Sequence, residues 1–262
     1  QAITELRHKY DLETLLNHTN MARSSYYYHY KKSLLRDKYK EIKQLISQIY
    51  HYHKGRFGYR RITLEINKRG IIINHKTVLK LMRQLGLKSL IRVKRYQSYR
   101  GEVGETAPNI LQRNFKTIKP NKKWATDITE FKVSGNKLYL SPIIDLFNGE
   151  IISYEMSERP NFEQVVIMLK KSFKKIPNQT NLILHSDQGW QYQMKQYQQL
   201  LKEKGITQSM SRRGNCLDNA VIENFFGILK SELFYLNKYI SIAQLKKDIQ
   251  EYIKYYNNER IK

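Results

Sequence analysis

Three acidic residues lie where a sequence would not ordinarily place a carboxylate. Asp127 interrupts the strand-like run Trp124–Thr129, although aspartate is a poor strand former and costs on the order of several kcal/mol when buried unpaired. Asp187 follows the apolar run Leu182–Leu184, where a buried strand gives way to a loop. Glu223 lies on the flank of an apolar helical stripe. Taken singly, each has an ordinary interpretation: a strand-edge aspartate, a turn former before glycine, and a solvated glutamate.

The three carboxylates could do chemistry if the fold brings them together. Thirty-five residues separate Asp187 from Glu223, enough for a helix, a strand, a loop and the start of another helix. Hard oxygen ligands without a histidine or cysteine cluster favour Mg²⁺ or Mn²⁺ over zinc. Two such ions could activate a water or a 3′-hydroxyl and stabilise the departing oxygen of a phosphodiester displacement. The expected site therefore comprises Asp127, Asp187 and Glu223 with two ions, and Lys230 beside it contacts a DNA phosphate.

Two other aspartates compete for roles in this site. Asp145 is the best rival metal ligand, because it also interrupts an apolar strand. Asp127 ranks above it because Ala125 and Thr129 are small neighbours on the same strand face. Asp218 is expected to serve the N-terminus of the following helix, where a negative charge is stabilised.

The elements that must position these residues are strands and helices from residue 121 onward. Strand-like runs at 122–133, 137–147 and 150–157 are separated by turn signals at 134–136 and 148–149, which predict consecutive antiparallel hairpins. Further elements are expected at about 161–175, 182–184, 191–204, 206–210, 217–236 and 241–256. This order predicts an α/β fold: a ribonuclease-H-like mixed sheet of three antiparallel strands plus parallel strands, with helices on both faces.

Positive charge is concentrated in the first half of the chain. The formal net charge is +24, of which residues 1–120 carry +18 and residues 121–262 carry +6. Within residues 51–100, 14 lysines and arginines accompany a single acid, Glu65. Such a field destabilises a compact chain unless a polyanion neutralises it, which favours nucleic acid over an anionic membrane surface as the partner. The 40% hydrophobic and 12% aromatic content argues against a merely disordered basic tail.

Two all-α modules are predicted in this basic half. Residues 4–31 read as helix, turn and helix, with Ser24 and Ser25 as caps, a pattern as typical of a helical hairpin as of a DNA-binding unit. Residues 38–96 predict three further helices, the last starting at Asn74 or Thr77 and ending at Gly86. That last helix combines an apolar face with a basic face suited to phosphates. The residues expected to contact DNA here are Arg56, Arg60, Arg61, Lys76, Lys80 and Arg83.

The predicted organisation has four parts: a helix-turn-helix-like region at 1–34, a helical DNA-binding module at 35–96, a linker at 97–120 and a catalytic core at 121–262. The linker prediction rests on lost periodicity together with Gly101, Gly104, Pro108 and Pro120. No apolar run reaches membrane-spanning length and no signal peptide opens the sequence. Because the single cysteine, Cys216, cannot form an internal disulfide, a reducing cytosol is the expected compartment.

Three segments of the predicted core closely resemble bacterial insertion-sequence transposases. They are Trp124–Thr129, His185–Gly189 and the long run Ser209–Phe226. Two upstream segments, Ser24–Tyr28 and Phe57–Ile62, also resemble the helical modules of that family. The resemblance spans nearly the whole chain and points to the insertion-sequence-three family, B-frame type, in the DDE class with a retroviral-integrase-like core.

The resemblance implies roles for individual residues and for the chain. Asp127, Asp187 and Glu223 would be the catalytic metal ligands, and Lys230, Arg212 and Arg213 would contact DNA. The implied activity is binding of double-stranded DNA at terminal inverted repeats, 3′-end cleavage and strand transfer to target DNA. A homo-oligomer on DNA and a cytoplasmic, nucleoid-associated location are expected with it.

Three points of this interpretation stay open. The sequence begins without methionine and stops before the short tail usual in the family, so a trimmed chain or one lacking a further N-terminal region is expected. A nuclease of the same fold acting on RNA–DNA hybrids is one alternative function. A non-catalytic regulator that occupies element ends is the other.

Overall fold

The computed structural model describes residues 2–34, 37–91, 106–212 and 216–261 of the 262-residue chain. The chain divides into two compact units, Gln1–Ser89 and Leu90–Lys262. Over its described residues the first unit is helical, whereas the second contains a six-stranded sheet. No described helix combines the length and the apolar character that crossing a bilayer requires.

The first unit opens with three helices, α1 (Ala2–Leu6), α2 (Leu12–His18) and α3 (Arg23–Leu34). Asp11 caps α2 by accepting the backbone N–H of Thr14. The sequence predicted two helices here rather than three, and it placed Ser24 and Ser25 as caps. That placement is wrong, because α3 begins at Arg23 and both serines lie inside its first turn.

The second helical module comprises α4 (Lys40–Tyr52), α5 (Tyr59–Lys68) and α6 (His75–Gln84). Asn74 caps α6 by accepting the backbone N–H of Lys76 at 2.8 Å, which decides between the two predicted starts. Gly86 follows α6 with a left-handed φ of 67°, a conformation that glycine adopts without steric cost. The three helices bury a shared apolar core of Ile46, Ile49, Tyr50, Phe57, Ile62, Ile66, Val78, Leu81 and Met82.

The second unit is built on one mixed sheet. Its strands are β1 (Lys123–Thr126), β2 (Thr129–Val133), β3 (Asn136–Asp145), β4 (Ile151–Ser157), β5 (Leu182–Ser186) and β6 (Ile206–Met210). β3 pairs antiparallel with β1, β2 and β4, whereas β5 pairs parallel with both β1 and β6. This topology confirms the predicted mixed α/β fold of the ribonuclease-H-like kind.

The predicted first strand, 122–133, is split at Asp127 and Ile128, between β1 and β2. β1 and β2 lie along the same edge of β3 and continue one register, so that Asp127 falls opposite Pro142. Proline has no N–H to give the ladder, and the Pro142 carbonyl accepts the Thr126 hydroxyl at 2.9 Å. Asp127 in turn accepts the N–H of Ile128 at 2.7 Å. The break frees Asp127 from regular pairing where β1 ends.

Helices cover both faces of the sheet, as predicted. α7 (Phe162–Phe173) and α8 (Lys195–Lys204) pack on one face, against Trp124, Ile143 and Leu184. α9 (Ala220–Glu232) and α10 (Ile242–Asn258) pack on the other, against Ala125 and Ile144. α9 is shorter than the predicted helix at 217–236, because 3₁₀ turns at Cys216–Asn219 and Phe234–Leu236 flank it.

The described part of the predicted linker, residues 106–120, packs on the second unit. Ser209 Oγ accepts the backbone N–H groups of Ile110 and Leu111, and the N–H of Met210 donates to the Pro108 carbonyl. Leu111 is buried. These contacts make the segment part of the unit that carries the sheet, which the loss of periodicity alone did not indicate.

Candidate active site

Asp127 and Asp187 lie side by side just after the carboxyl ends of the neighbouring parallel strands β1 and β5. β1 and β5 run parallel with Ala125 opposite His185, so two residues further on Asp127 falls opposite Asp187. Neighbouring strands are about 4.8 Å apart, which sets the spacing of the two backbones. Both side chains are partly buried. The sheet thus joins two carboxylates that are separated by 59 intervening residues in sequence.

The loop after β5 is shaped around the Asp187 carboxylate. Its Oδ1 accepts the backbone N–H of Gly189 at 2.9 Å. A Cβ on Gly189 would lie 3.0 Å from that same oxygen and 2.5 Å from Nε2 of Gln191. A side chain at position 189 would thus crowd the Asp187 carboxylate and the end of the Gln191 side chain, and the Gly189 N–H helps to hold Asp187 in its orientation.

Helix α9 carries Glu223 and Lys230. Ile222, Phe225 and Leu229 are buried against the sheet and fix the helix in place, while Glu223 and Lys230 lie partly buried at its flank. The Lys230 ammonium lies 5.3 Å from the centroid of the Phe131 ring. Burial lowers the pKa of Lys230, and the carboxylates of Glu130 and Asp127 oppose that shift. Lys230 therefore lies in the electric field of the first carboxylate.

The pKa values of all three carboxylates lie above their usual values, and the charges of Asp187 and Glu223 contribute to the shift at Asp127. Burial, and then the charges of Asp187 and Glu223, raise the pKa of Asp127 well above its usual value, against the opposing effect of Lys230. Burial raises the pKa of Asp187, and burial followed by the Asp187 charge raises the pKa of Glu223. Ionised together, the three groups form a site with excess negative charge, which a divalent cation would relieve.

The donor chemistry of the three carboxylates suits a hard cation, but the described structure does not gather all three into one ligand group. All three groups offer oxygen, the donor that Mg²⁺ and Mn²⁺ prefer. Within the described ranges, no group of three or more histidine, cysteine, aspartate or glutamate side chains is close enough to hold an ion together. Asp127 and Asp187 are neighbours. The charge of Glu223 raises the pKa of Asp127, but the three carboxylates do not form one ligand group among the described residues.

Asp145, the rival ligand, has a structural role at the other end of β1. It lies opposite Trp124 and is 1% exposed. Its two oxygens accept the backbone N–H groups of Asn121 at 2.7 Å and Phe147 at 2.8 Å. This carboxylate closes the turn after β3 and is away from the edge where Asp127 and Asp187 meet.

A second polar cluster, which the sequence did not predict as a unit, lies at the entrance to α9. The fully buried carboxylate of Asp218 accepts from Arg212 Nε at 3.0 Å, from Arg113 Nε at 2.8 Å and from Asn109 Nδ2 at 2.9 Å. These hydrogen bonds, with Arg212 first, hold the pKa of Asp218 far below its usual range. Arg113 is more than a hundred residues away along the chain, so no local pattern could have revealed the pair.

His185 is buried beside this cluster. Its ring nitrogens lie 2.9 Å from Ser209 Oγ and 3.1 Å from Ser211 Oγ. Burial lowers the pKa of His185 to about 4, so the ring is neutral at physiological pH. The ring ties β5, which leads into Asp187, to β6 and the segment before α9.

The residues predicted to contact DNA have different environments. Lys76, Lys80 and Arg83 are exposed on one side of α6, opposite its buried apolar face. Arg60 is exposed, with Nε donating to the Tyr59 hydroxyl at 3.2 Å, and Arg61 lies half-buried over the ring of Phe57.

Among the predicted DNA-contacting arginines, Arg56 is largely buried and Arg212 is ion-paired. Arg56 has 7% of its surface exposed. Arg212 keeps an exposed side chain, but its guanidinium is engaged by Asp218 and contributes to the cluster before α9. Arg213 lies outside the described residues.

Family models match both units of the chain. An integrase core domain matches residues 118–216, a second integrase core domain model matches residues 223–262, and an HTH-like domain matches residues 37–95. The last match coincides with the α4–α6 module and its exposed basic helix. The first two cover the sheet and the helices that carry the three carboxylates.

Curated relatives agree with these matches. The chain is 58% identical over 261 residues to the "Putative transposase InsK for insertion sequence element IS150" of Escherichia coli strain K12, covering 100% of this chain and 92% of that protein. It is 36% identical over 222 residues to the "Transposase for insertion sequence element IS904" of Lactococcus lactis, covering 84% and 88%.

Among solved structures, a simian T-cell lymphotropic virus intasome in complex with PP2A regulatory subunit B56 gamma aligns with a TM-score of 0.47 at 16% identity, covering 83% of this chain and 70% of that one. The HTLV-2 integrase catalytic core domain in complex with magnesium aligns with a TM-score of 0.44 at 18% identity, covering 55% and 90%. The family assignment rests on the sequence relatives and the family models, and the chain belongs to the bacterial insertion-sequence transposases of the insertion-sequence-three family, with an HTH-like module and an integrase core.

Proposed function

We propose that the chain cleaves DNA at the 3′ ends of its insertion sequence and joins those ends to target DNA, in a reaction that requires two Mg²⁺ or Mn²⁺ ions held by Asp127, Asp187 and Glu223. The observation that carries the proposal is the parallel register of β1 and β5, which sets Asp127 beside Asp187 at one edge of the sheet. Glu223 and Lys230 on α9 act electrostatically on Asp127.

The three carboxylates have separate roles in the proposed reaction. Bound divalent ions would activate the attacking water or 3′-hydroxyl and stabilise the departing oxygen. Asp127 and Asp187 hold their positions through the N–H groups of Ile128 and Gly189, so they are oriented before any ligand binds. Glu223, in the first turn of α9, would complete the ligand set.

Lys230 would contact the phosphate that reacts or one beside it. Its ammonium already lies near the Asp127 and Glu130 carboxylates and over the Phe131 ring. A phosphate between the ions and this ammonium would meet positive charge on two sides. The exposed basic face of α6, with Lys76 and Lys80, would hold the duplex through its backbone.

A strand-cleavage and strand-transfer assay tests this proposal. The substrate is a labelled duplex carrying the terminal repeats that flank the gene, incubated with Mg²⁺ or Mn²⁺. Asp127→Asn, Asp187→Asn and Glu223→Gln should each reduce both reactions by at least about a thousandfold, because the ions lose a ligand, while DNA affinity measured by fluorescence anisotropy changes little.

Glu163→Gln is the matched control. Glu163 is an exposed acid in the first turn of α7, on the opposite face of the sheet from α9, so its neutralisation should leave both reactions unchanged. Undiminished Mg²⁺-dependent strand transfer by Asp187→Asn would overturn the proposal. Cleavage restricted to RNA–DNA hybrids would support the nuclease alternative, and end binding without any cleavage would support the regulator.

We also propose that copies of the chain assemble on DNA, since an insertion sequence has two ends to be processed together. Light scattering of the protein alone and with a terminal-repeat duplex would measure the number of subunits. A single copy per duplex under conditions that support strand transfer would contradict this part of the proposal.

A further inference from the structure

Gly227 is an outward-facing glycine in the middle of α9. It lies seven residues after the start of a helix that spans Ala220–Glu232, and it is exposed. Glycine is among the least favourable residues in a helix interior, because it gives up the most conformational freedom. Its backbone is helical rather than left-handed, so no special φ requires it.

Packing within the described chain does not require this glycine either. A Cβ built on Gly227 meets no described atom within 4 Å, apart from its chain neighbours and the backbone of its own helix. By contrast, a Cβ on Gly189 would collide with Gln191 and crowd Asp187. Packing among the described residues thus gives a reason for glycine at position 189 and none at position 227.

The position of Gly227 shows where such a ligand would lie. It is four residues after Glu223 and three before Lys230, so the three residues share one face of the helix. At 1.5 Å per residue, Glu223 and Lys230 are separated along the axis by about 10 Å, with Gly227 between them. Between Glu223, the proposed third metal ligand, and Lys230, the helix therefore has a position without a side chain, at Gly227.

The charges at both ends of this line select an anionic ligand. Lys230 supplies positive charge at one end, and with ions bound as proposed above, the Glu223 end also becomes positive. Successive phosphates of one strand can pair with positive charge at both ends of this line. A protein surface that is neutral, or that carries both acidic and basic groups, would pair with only one end. The geometry thus fits the sugar–phosphate backbone of a nucleic-acid strand better than another protein.

We propose that Gly227 is the point of close approach of α9 to the DNA strand in the active site, where the absent side chain lets the phosphodiester backbone lie directly on the helix between Glu223 and Lys230. This inference rests on the proposed function and adds the path of the substrate across the site.

The first test compares Gly227→Ala with Asn224→Ala. Both replacements raise helix propensity, and Asn224 is exposed but lies to one side of the line from Glu223 to Lys230, about 60° around the helix from Gly227 and about 100° from Glu223. Both variants should therefore unfold at a higher temperature than the wild type. Gly227→Ala should reduce strand transfer between about tenfold and a hundredfold, as expected when reacting groups shift by about 1 Å, and Asn224→Ala should leave it unchanged.

The outcomes separate the inference from the function on which it rests. Full strand transfer by Gly227→Ala, alongside loss of activity in Asp187→Asn, would overturn the inference alone. Full activity in Asp187→Asn would overturn the proposed function. A change in subunit number for Gly227→Ala with normal DNA binding and strand transfer would assign the bare helix face to a second copy of the chain and overturn the inference.

A cross-linking test measures the contact directly and does not depend on activity. Gly227→Cys and Asn224→Cys are made in a Cys216→Ser background, which removes the single native thiol. Each is mixed with a duplex that carries, on a phosphate next to the reacting 3′ end, a short tether ending in a mixed disulfide with a small thiol, so that the cysteine thiolate displaces that thiol as the protein–DNA disulfide forms. Disulfide formation at position 227, several-fold faster than at 224, is expected; equal or slower formation at 227 would contradict the inference.

Discussion

Replacing Asp127 with asparagine should make the folded chain more stable while it abolishes the proposed chemistry. Burial and the charges of Asp187 and Glu223 raise the pKa of Asp127, which means that its ionised form is disfavoured in the folded state. Asparagine has the same shape and can still accept the Ile128 N–H through its side-chain oxygen. The variant therefore removes the electrostatic cost without removing this hydrogen bond.

The size of the expected stability gain follows from the distance between the Asp127 and Asp187 carboxylates. Adjacent strands place their carboxylates about 5–6 Å apart, and at an effective dielectric constant of about 20 two unit charges at that distance repel by about 3 kcal/mol. Both groups are partly accessible to water, which weakens the repulsion. We expect Asp127→Asn to raise the free energy of unfolding at pH 7 by about 1–3 kcal/mol.

The pH dependence has a defined sign. The folded-state pKa of Asp127 lies above its unfolded value, so the folded chain binds more protons between the two values and loses stability as pH rises through the folded pKa. The advantage of Asp127→Asn should therefore be largest near neutral pH and disappear below about pH 4, where the carboxyl is protonated in both states.

The assay is urea unfolding followed by tryptophan fluorescence without divalent ions. The two tryptophans of the chain, Trp124 and Trp190, both lie in the sheet-bearing unit and report its unfolding. Adding Mg²⁺ should stabilise the wild type, by about 2.7 kcal/mol at a hundred times the dissociation constant, and should stabilise Asp127→Asn far less.

Asp145→Asn is the matched control with the opposite expected sign. Both oxygens of this buried carboxylate accept backbone N–H groups, and an asparagine side chain can satisfy only one of them. It should lower the free energy of unfolding by about 1–3 kcal/mol. If Asp127→Asn were destabilising to a similar degree, Asp127 would be an ordinary structural aspartate and the electrostatic argument for the site would fail.

Three further predictions concern DNA binding, stability and acid sensitivity. Replacing Lys76 and Lys80 with glutamine should weaken duplex binding and reduce the slope of log affinity against log salt by about 1.8, or about 0.9 for each lost phosphate contact; an unchanged slope would place the duplex elsewhere. Arg260→Met should lower the free energy of unfolding by about 3–5 kcal/mol, because it removes the cation paired with the buried Glu232 carboxylate, which two guanidinium nitrogens contact at 2.9 Å and the Tyr252 hydroxyl contacts at 2.8 Å. The double change with Glu232→Leu should recover most of the loss, and equal losses in the single and double variants would contradict this. Because burial lowers the pKa of His185 to about 4, unfolding takes up a proton below about pH 6.5, so stability should fall as pH drops towards 4; a His185→Gln variant that keeps the full wild-type slope would rule this out.

Features that depend on neighbouring residues could be predicted from the sequence. Asn74 caps α6 through a hydrogen bond to Lys76, and Gly86 and Gly205 end their helices in left-handed conformations. The turn at Ser134–Asn136 joins two antiparallel strands as expected. Each of these depends on contacts within a few residues, which the local pattern of side chains records.

Long-range features required the fold. The sequence could nominate Asp127 and Asp187, but only the parallel pairing of β1 and β5 sets them side by side. The burial of Arg56 and the hydrogen bond between Arg113 and Asp218 had no local pattern to predict them. Residue types and periodicity determine which segments become strands and helices and which groups can bind an ion. The pairing of distant strands and the burial of side chains decide which groups meet, because these depend on the packing free energy of the whole unit.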